Sequence, residues 1–191
     1  MKVIAFNGSP RKGGNTNLMI ETALKPLAAA GVETEVVQIG GTGIKPCTAC
    51  GMCYKNKDRK CIIKDDIFND LLEKTWAADG IIIGSPTYFA ALTPETKAFI
   101  DRLGYVSRAN GGLLRRKPAA SVAVMRRAGG IEVLNSIDKL FMISEMIAVG
   151  STYWNVAFGL QKGDAANDEE GVQTMTNLGN NMLWLLQKIN G

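Results

Sequence analysis

The apolar run Val3-Ile4-Ala5-Phe6 breaks directly into Asn7-Gly8-Ser9-Pro10-Arg11-Lys12-Gly13-Gly14-Asn15-Thr16-Asn17, and a helical pattern follows from Leu18. A strand, a polar glycine-rich turn and a helix in that order place an open helix N-terminus at a strand end. The unpaired amides of a first helical turn, and its positive dipole end, favour an anion there. Ser9, Asn15, Thr16 and Asn17 add neutral donors, and Arg11 and Lys12 add positive charge.

Two phosphate-loop patterns fail against this stretch. A Walker loop ends in Gly-Lys-Ser/Thr, but Gly13 is followed by Gly14 and Asn15. A dinucleotide fingerprint reads Gly-x-Gly-x-x-Gly, but Gly8 is followed by Ser9 and Pro10. What remains is a phosphate held by amides, hydroxyls and one or two cations without magnesium, which suits flavin mononucleotide (FMN). A tight surface turn before a capped helix is the plainer alternative, because turn residues cluster in many such connections.

The chain has 191 residues, 46% of them apolar, enough for a single domain (1–191) with a substantial core and too many for a disordered chain. No linker or repeat divides it. Met1-Lys2-Val3-Ile4 enters a strand at once, without a signal-peptide core or an apolar run of bilayer length. A cytoplasmic protein with no membrane partner is expected. The net charge of +4 is modest, and much of the excess sits at Lys45 to Lys64 and at Arg115-Arg116-Lys117. No nucleic-acid-binding pattern accompanies it, so no nucleic-acid partner is expected. Histidine is absent, which removes every Ser/His, Cys/His and His-ligated metal mechanism.

Further along, Leu18 to Ala30 reads as an amphipathic helix stopped by Gly31, and Thr34 to Ile39 as a second strand. Gly40 to Lys64 is a long connection holding all four cysteines, a cysteine-rich insertion at about 40–64. A helix from Asp65 and Asp66 to about Ala77 precedes the buried strand Gly80 to Gly84. Pro94 opens a helix to about Leu103, Ala119 to Met125 forms a fourth strand, and Ile131 to Met146 the next helix. A fifth strand spans Ile147 to Trp154, and a last helix Gly171 to Ile189. The alternation specifies an α/β doubly wound parallel sheet of five strands, order 2-1-3-4-5, with helices on both faces. Strands one, three and four are then neighbours, and the turns that follow them converge at the carboxyl edge, where such sheets bind ligands.

With those turns in view, the chain resembles the flavodoxin-like NADPH-dependent FMN reductase family, and within it the iron-sulfur flavoproteins. The resemblance is carried by Gly8 to Thr16, by Pro46-Cys47-Thr48-Ala49-Cys50-Gly51-Met52-Cys53, by Gly84-Ser85-Pro86-Thr87-Tyr88-Phe89, and by Gly129-Gly130. It implies that Ser9, Arg11, Asn15, Thr16 and Asn17 hold the FMN phosphate. Pro86, Thr87, Tyr88 and Phe89 would flank the ribityl chain and ring, and Arg126, Arg127, Gly129 and Gly130 would approach the pyrimidine edge. An arginine there would favour the reduced anionic flavin. The resemblance also implies a homo-oligomer, a dimer or tetramer.

The cysteines fall in one spacing, Cys47-x2-Cys50-x2-Cys53-x7-Cys61. Clustered cysteines in a cytosolic chain are read as metal-binding or catalytic before disulfide-forming. Three thiolates two residues apart and a fourth from a short loop suit a 4Fe-4S cluster, as in bacterial ferredoxins. Structural zinc more often takes two separated pairs, and free or redox-active thiols are the third alternative. Lys55, Lys57, Arg59 and Lys60 would offset a cluster's negative charge, or serve as a solvated face or a docking patch for an acidic ferredoxin.

The leading expectation is therefore an FMN-dependent oxidoreductase passing electrons between flavin and a 4Fe-4S cluster, a step that requires no side-chain acid or base. An NAD(P)H-dependent reductase of flavin or quinone without a cluster is the second reading. An electron carrier docking to ferredoxin is the third.

Overall fold

The computed structural model describes residues 1–190. Strand β1 (Lys2–Asn7) is buried from Val3 onward. It is followed by α1 (Asn15–Ala29), β2 (Glu33–Gln38), a short α2 (Met52–Asn56) and α3 (Phe68–Ala77). Next come β3 (Gly80–Pro86), α4 (Pro94–Ala109), β4 (Pro118–Met125) and α5 (Gly130–Ile143). Two short strands, β5 (Ile147–Ala148) and β6 (Val156–Phe158), and a 3-10 turn at Asp164–Asn167 lead to α6 (Glu169–Asn190). The sheet is parallel in the order β2-β1-β3-β4-β5, with β6 also on β4.

Alternation of side chains along a strand divides the core into two layers. Ile4, Phe6, Ile81 and Ile83 pack with Phe68, Phe99, Leu103, Ile137 and Phe141 from α3, α4 and α5. Val3, Ala5, Ile82, Val122 and Val124 pack on the other face with Ile20, Leu27, Met175, Leu178 and Leu186 from α1 and α6. Strands enclosed this way must be apolar throughout, which is why β1, β3 and β4 read as unbroken apolar runs. Lys117 closes one helix end: its ammonium donates to Trp76 O (3.0 Å) and Ala78 O at the C-terminus of α3, and burial pushes its pKa down. No helix among the described residues is long and apolar enough to cross a membrane.

Several boundaries differ from the sequence expectation. Helix α1 starts at Asn15 rather than Leu18, because its first turn is polar and carries no apolar periodicity. Helix α3 starts at Phe68, since Asp66 instead turns back to accept from the Phe68 amide (3.1 Å). Helix α4 runs on past Leu103 to Ala109, with Val106 and Ala109 buried. The cysteine connection is not wholly irregular, for it contains α2.

The expected fifth strand is broken in two. Ala119 pairs with Ala148 and Ala123 with Val156, so β4 residues 120–122 lie opposite 149–155. Ser151 is the cause: its single hydroxyl proton is shared between Tyr153 O and Asn155 Oδ1, both at 2.8 Å, and this local turn competes with the ladder. Beneath the resulting bow, Ser121 Oγ donates to Asp138 Oδ1 (2.7 Å). Burial pushes the Asp138 carboxyl pKa up, and the hydroxyl offsets part of that rise.

The folded chain thus holds the Asp138 proton more tightly than the unfolded chain, so stability falls as pH rises from about 4 through the raised value. Asp138→Asn should remove this slope. Urea midpoints of variant and parent should agree at or below about pH 4 and diverge in the variant's favour at neutral pH; parallel profiles would contradict the shift.

Candidate functional site

Backbone meets backbone where β1 and β3 end. The Gly8 amide donates to Gly84 O (2.7 Å), and a Cβ on Gly8 would lie 1.9 Å from Thr96 Oγ1. Thr93, which caps α4, donates from its hydroxyl to Gly8 O (2.8 Å) and from its amide to Ser85 Oγ (3.0 Å). These contacts bring the three expected turns to one cleft. It is lined by Ser9, Arg11, Asn15 and Thr16, by Pro86, Thr87 and Tyr88, and by Val124, Met125 and Arg126, with Gly159 and Leu160 from the loop after β6.

At one end of the cleft the first turn of α1 is open. Gly14 occupies the cap position and supplies no side chain, so the amides of Asn15, Thr16 and Asn17 have no protein acceptor. Ser9 Oγ accepts from the Arg11 amide (3.2 Å), which leaves its hydroxyl proton free to donate outward. Asn15 behaves differently from the expectation. Its side chain donates to Gln161 O (2.7 Å) and accepts from the Gly163 amide (2.8 Å), so it pins the loop after β6, and only its main-chain amide faces an anion. Arg11 also reaches that loop, donating to Leu160 O (3.1 Å). Asn17 lies outside the cleft lining, its Oδ1 accepting from Asn7 Nδ2 (3.4 Å).

In the middle of the cleft Thr87 Oγ1 is buried without any protein partner, although the Thr87 amide is bonded to Val124 O (2.9 Å). A buried hydroxyl left unpaired is costly unless a ligand satisfies it. Tyr88 and Ala91 exchange both backbone hydrogen bonds (2.8 and 2.9 Å) around Phe89 and Ala90, whose φ angles of 48° and 58° are left-handed. That tight turn leaves Phe89 fully exposed at its tip and outside the cleft lining, while Tyr88 borders the cleft. Gly129, at φ 86°, and Gly130 do not line the cleft either. A Cβ on Gly129 would sit 2.9 Å from Ala90 Cα, and one on Gly130 2.7 Å from Met125 Sδ, so the pair lets the third turn close against the second. Arg126 borders the cleft and Arg127 is exposed away from it. Free amides and hydroxyls at one end, an orphaned hydroxyl in the middle, and Tyr88 with Arg126 beyond fit a flavin mononucleotide.

The four cysteines line a second cavity, of about 220 Å³, with Ile62, Ile63, Tyr54, Tyr105, Val106 and Arg102. Ala49, Gly51, Lys57 and Arg59 all have left-handed φ angles, and three of these are not glycine. Such turns cost roughly 1–2 kcal/mol per non-glycine residue, and are the means by which the loop winds around the cavity. Asn69 clamps the far end: its Oδ1 accepts from the Cys61 amide (2.8 Å), and its Nδ2 donates to Cys61 O (3.1 Å) and Ile63 O (3.2 Å). The Met52 amide beside Cys50 Sγ holds that thiol below its ordinary pKa, whereas burial pushes the Cys53 thiol up. No group of three or more Cys, His, Asp or Glu among the described residues is gathered tightly enough to hold a single metal ion. Four thiols on one cavity are a donor set of the kind that holds a thiolate-ligated metal group. Of the basic residues in this loop, Lys60 is paired with Glu73 (3.0 Å).

Sequence reasoning missed Gly159 and Leu160, which belong to a glycine-containing loop without a motif. It also missed Arg102, which did leave a signal: an arginine three residues after Phe99 stands on the buried stripe of α4.

A profile of the NADPH-dependent FMN reductase family matches residues 1–161. An iron-sulfur flavoprotein of Methanocaldococcus jannaschii is 39% identical over 186 residues, covering 94% of each chain. One of Methanosarcina thermophila is 35% identical over 191 residues, covering 99% of this chain and 97% of its own. Among solved structures, RosB with a bound formyl-riboflavin phosphate intermediate superposes with a TM-score of 0.78 at 18% identity, over 99% of this chain and 80% of that one. This last likeness is one of fold.

Asn15→Ala should leave the α1 amides open but free the loop after β6. The expected cost is about 1–3 kcal/mol, with faster hydrogen exchange confined to the Gly163 and Ala165 amides; exchange at the parent rate would refute the pinning role.

Proposed function

The chain belongs to the NADPH-dependent FMN reductase family and is an FMN-dependent oxidoreductase, and we propose that it moves electrons between FMN and a 4Fe-4S cluster held by Cys47, Cys50, Cys53 and Cys61. One observation carries the cluster reading: all four thiols line a single cavity. The names of the two iron-sulfur flavoprotein relatives support it. FMN accepts two electrons and gives them up singly, and a cluster carries them one at a time.

The protein's own part is binding and orientation. The amides of Asn15, Thr16 and Asn17 and the hydroxyls of Ser9 and Thr16 receive the phosphate, with Arg11 adding charge beside them. Thr87 receives a ribityl hydroxyl, Tyr88 walls the ring, and Arg126 stands where negative charge gathers on reduction. No residue is required to take or give a proton. For an acidic ferredoxin as electron donor, the docking surface is the cysteine loop, where Lys55, Lys57 and Arg59 are exposed and make no ion pair among the described residues. A second copy of the chain, in a dimer or tetramer, would cover the apolar rim of Tyr88, Phe89, Phe158 and Leu160, all substantially exposed.

A cluster-free, NAD(P)H-dependent reductase of flavin or quinone is the second reading. It is favoured by the exposure of Cys50 and its lowered thiol pKa, which suit a reactive thiol. Iron, acid-labile sulfide and flavin assays on anaerobically purified protein separate the two. About four irons, four sulfides and one FMN per chain are expected for a 4Fe-4S flavoprotein. FMN without iron, persisting after anaerobic reconstitution, would give the second reading the field.

Thr87→Val tests the flavin side independently. Loss of about 1 kcal/mol, or roughly fivefold weaker FMN binding, is expected. The flavin-free protein should be no less stable than the parent, because the hydroxyl has no protein partner to lose. Undiminished affinity would place the flavin elsewhere.

A further inference from the structure

Arg102 is the one charged residue among the fully buried side chains of greatest volume, and it borders the cysteine cavity. Its terminal nitrogens hold the cysteine loop from both sides. Nη1 donates to Lys45 O (3.1 Å), just before Cys47, and to Asp66 Oδ2 (2.5 Å). Nη2 donates to Ile63 O (3.2 Å), just after Cys61, and to Asp66 Oδ1 (3.3 Å). The guanidinium carbon lies 3.9 Å from the centroid of the Phe68 ring, which covers one face. One donor is left over: Nε is buried and has no protein partner.

Tying the loop ends together explains Nη1 and Nη2 but not Nε. A charged donor buried without an acceptor is among the costlier features a folded chain retains, and it persists where something else completes it. The space that Arg102 borders is lined by four thiols, whose ligated form is anionic. We propose that Arg102 is a positioning residue for the cysteine-bound group that also sets its reduction potential, with Nη1 and Nη2 holding the loop and the Nε hydrogen reserved for the group itself. This rests on the 4Fe-4S reading given above.

The electrostatics give the role a sign. Taking up one electron makes a thiolate-ligated cluster more negative by one charge. A cation in the wall of the cavity therefore favours the reduced form, as does a hydrogen bond to its sulfur. The Asp66 carboxylate works in opposition, cancelling part of the Arg102 field. Removing the cation must lower the potential, and removing the anion must raise it.

The test is a redox titration of the cluster, followed by electron paramagnetic resonance, on anaerobically purified parent, Arg102→Lys, Arg102→Gln and Asp66→Asn, with iron, sulfide and FMN measured on each. The midpoint of Asp66→Asn should lie above the parent, Arg102→Lys a little below it, and Arg102→Gln lowest. Cluster loss in air should be several-fold faster in Arg102→Gln and partly restored by Lys. FMN content should stay at the parent level in every variant that folds. Arg102→Lys keeps the charge but removes the Nε donor, so its downward shift decides the matter even if Arg102→Gln does not fold, and Asp66→Asn checks the sign of the field. Variants that lose iron while the remaining cluster titrates at the parent midpoint would reduce Arg102 to a scaffold and overturn the proposal. So would variants with full clusters and unmoved midpoints. A parent without iron would instead overturn the cluster reading, and the role of Arg102 with it.

Discussion

The Gly8 amide rests on Gly84 O at 2.7 Å, with Thr93 bridging the same carbonyl-rich corner to the cap of α4, and the flavin cleft depends on that junction. Only a residue without a side chain lets the first turn come so near the end of β3. Gly40 repeats the demand from the other side, since its Cβ would lie 2.3 Å from Gly8 O. Three backbone segments thus meet where one side chain would hold them apart. The outcome is a first turn held close enough to the sheet for the amides at the start of α1 to share one cleft with Thr87. What this end of the cleft offers an anion is accordingly backbone placement more than charge. Arg11 and Asn15 serve it largely by fastening the loop after β6 over the turn.

The cysteine loop is built on the opposite principle. It has little regular structure of its own, several left-handed residues and an exposed surface, and its closure rests on side chains: Arg102 with Asp66, and Asn69. A buried ion pair of this kind adds little net stability compared with apolar packing, but removing one partner strands the other. Its value lies in specificity. A guanidinium in fixed fork geometry can hold Lys45 O, Ile63 O and a carboxylate at once, which keeps the two ends of the loop a set distance apart.

How much of this was legible in the sequence follows from where the information resides. The parallel sheet and its order were legible because strands buried on both faces leave apolar runs, and Ile81-Ile82-Ile83 has no other plausible use. The converging turns were legible for the same reason. The broken edge was not, because Ile147 to Trp154 has the composition of a strand and what interrupts it is a hydroxyl at Ser151 choosing local partners. Asn15 reads as a phosphate donor from its place in the first turn and from the family resemblance. Its actual partners lie nearly 150 positions away, and no short-range pattern reports such a contact. Phe89 was read with Tyr88 as a ring wall, yet strand alternation ends at the tight turn that turns it outward.

Helix α4 joins the two sites and fixes how they stand to one another. Its N-terminal Thr93 and Thr96 belong to the Gly8 junction, whereas Arg102, Tyr105 and Val106 face the cysteines. Nine residues separate Thr93 from Arg102, about 14 Å along the axis at the usual helical rise. The helix cannot slide to change that spacing, because Ala98, Phe99, Ile100 and Leu103 are locked in the core layer that also holds β1 and β3. A change in the inner face of α4 therefore reaches both the cleft and the cysteine cavity. The member that the cleft and the cysteine cavity share is thus a single helix with a threonine cap at one end and a buried arginine towards the other.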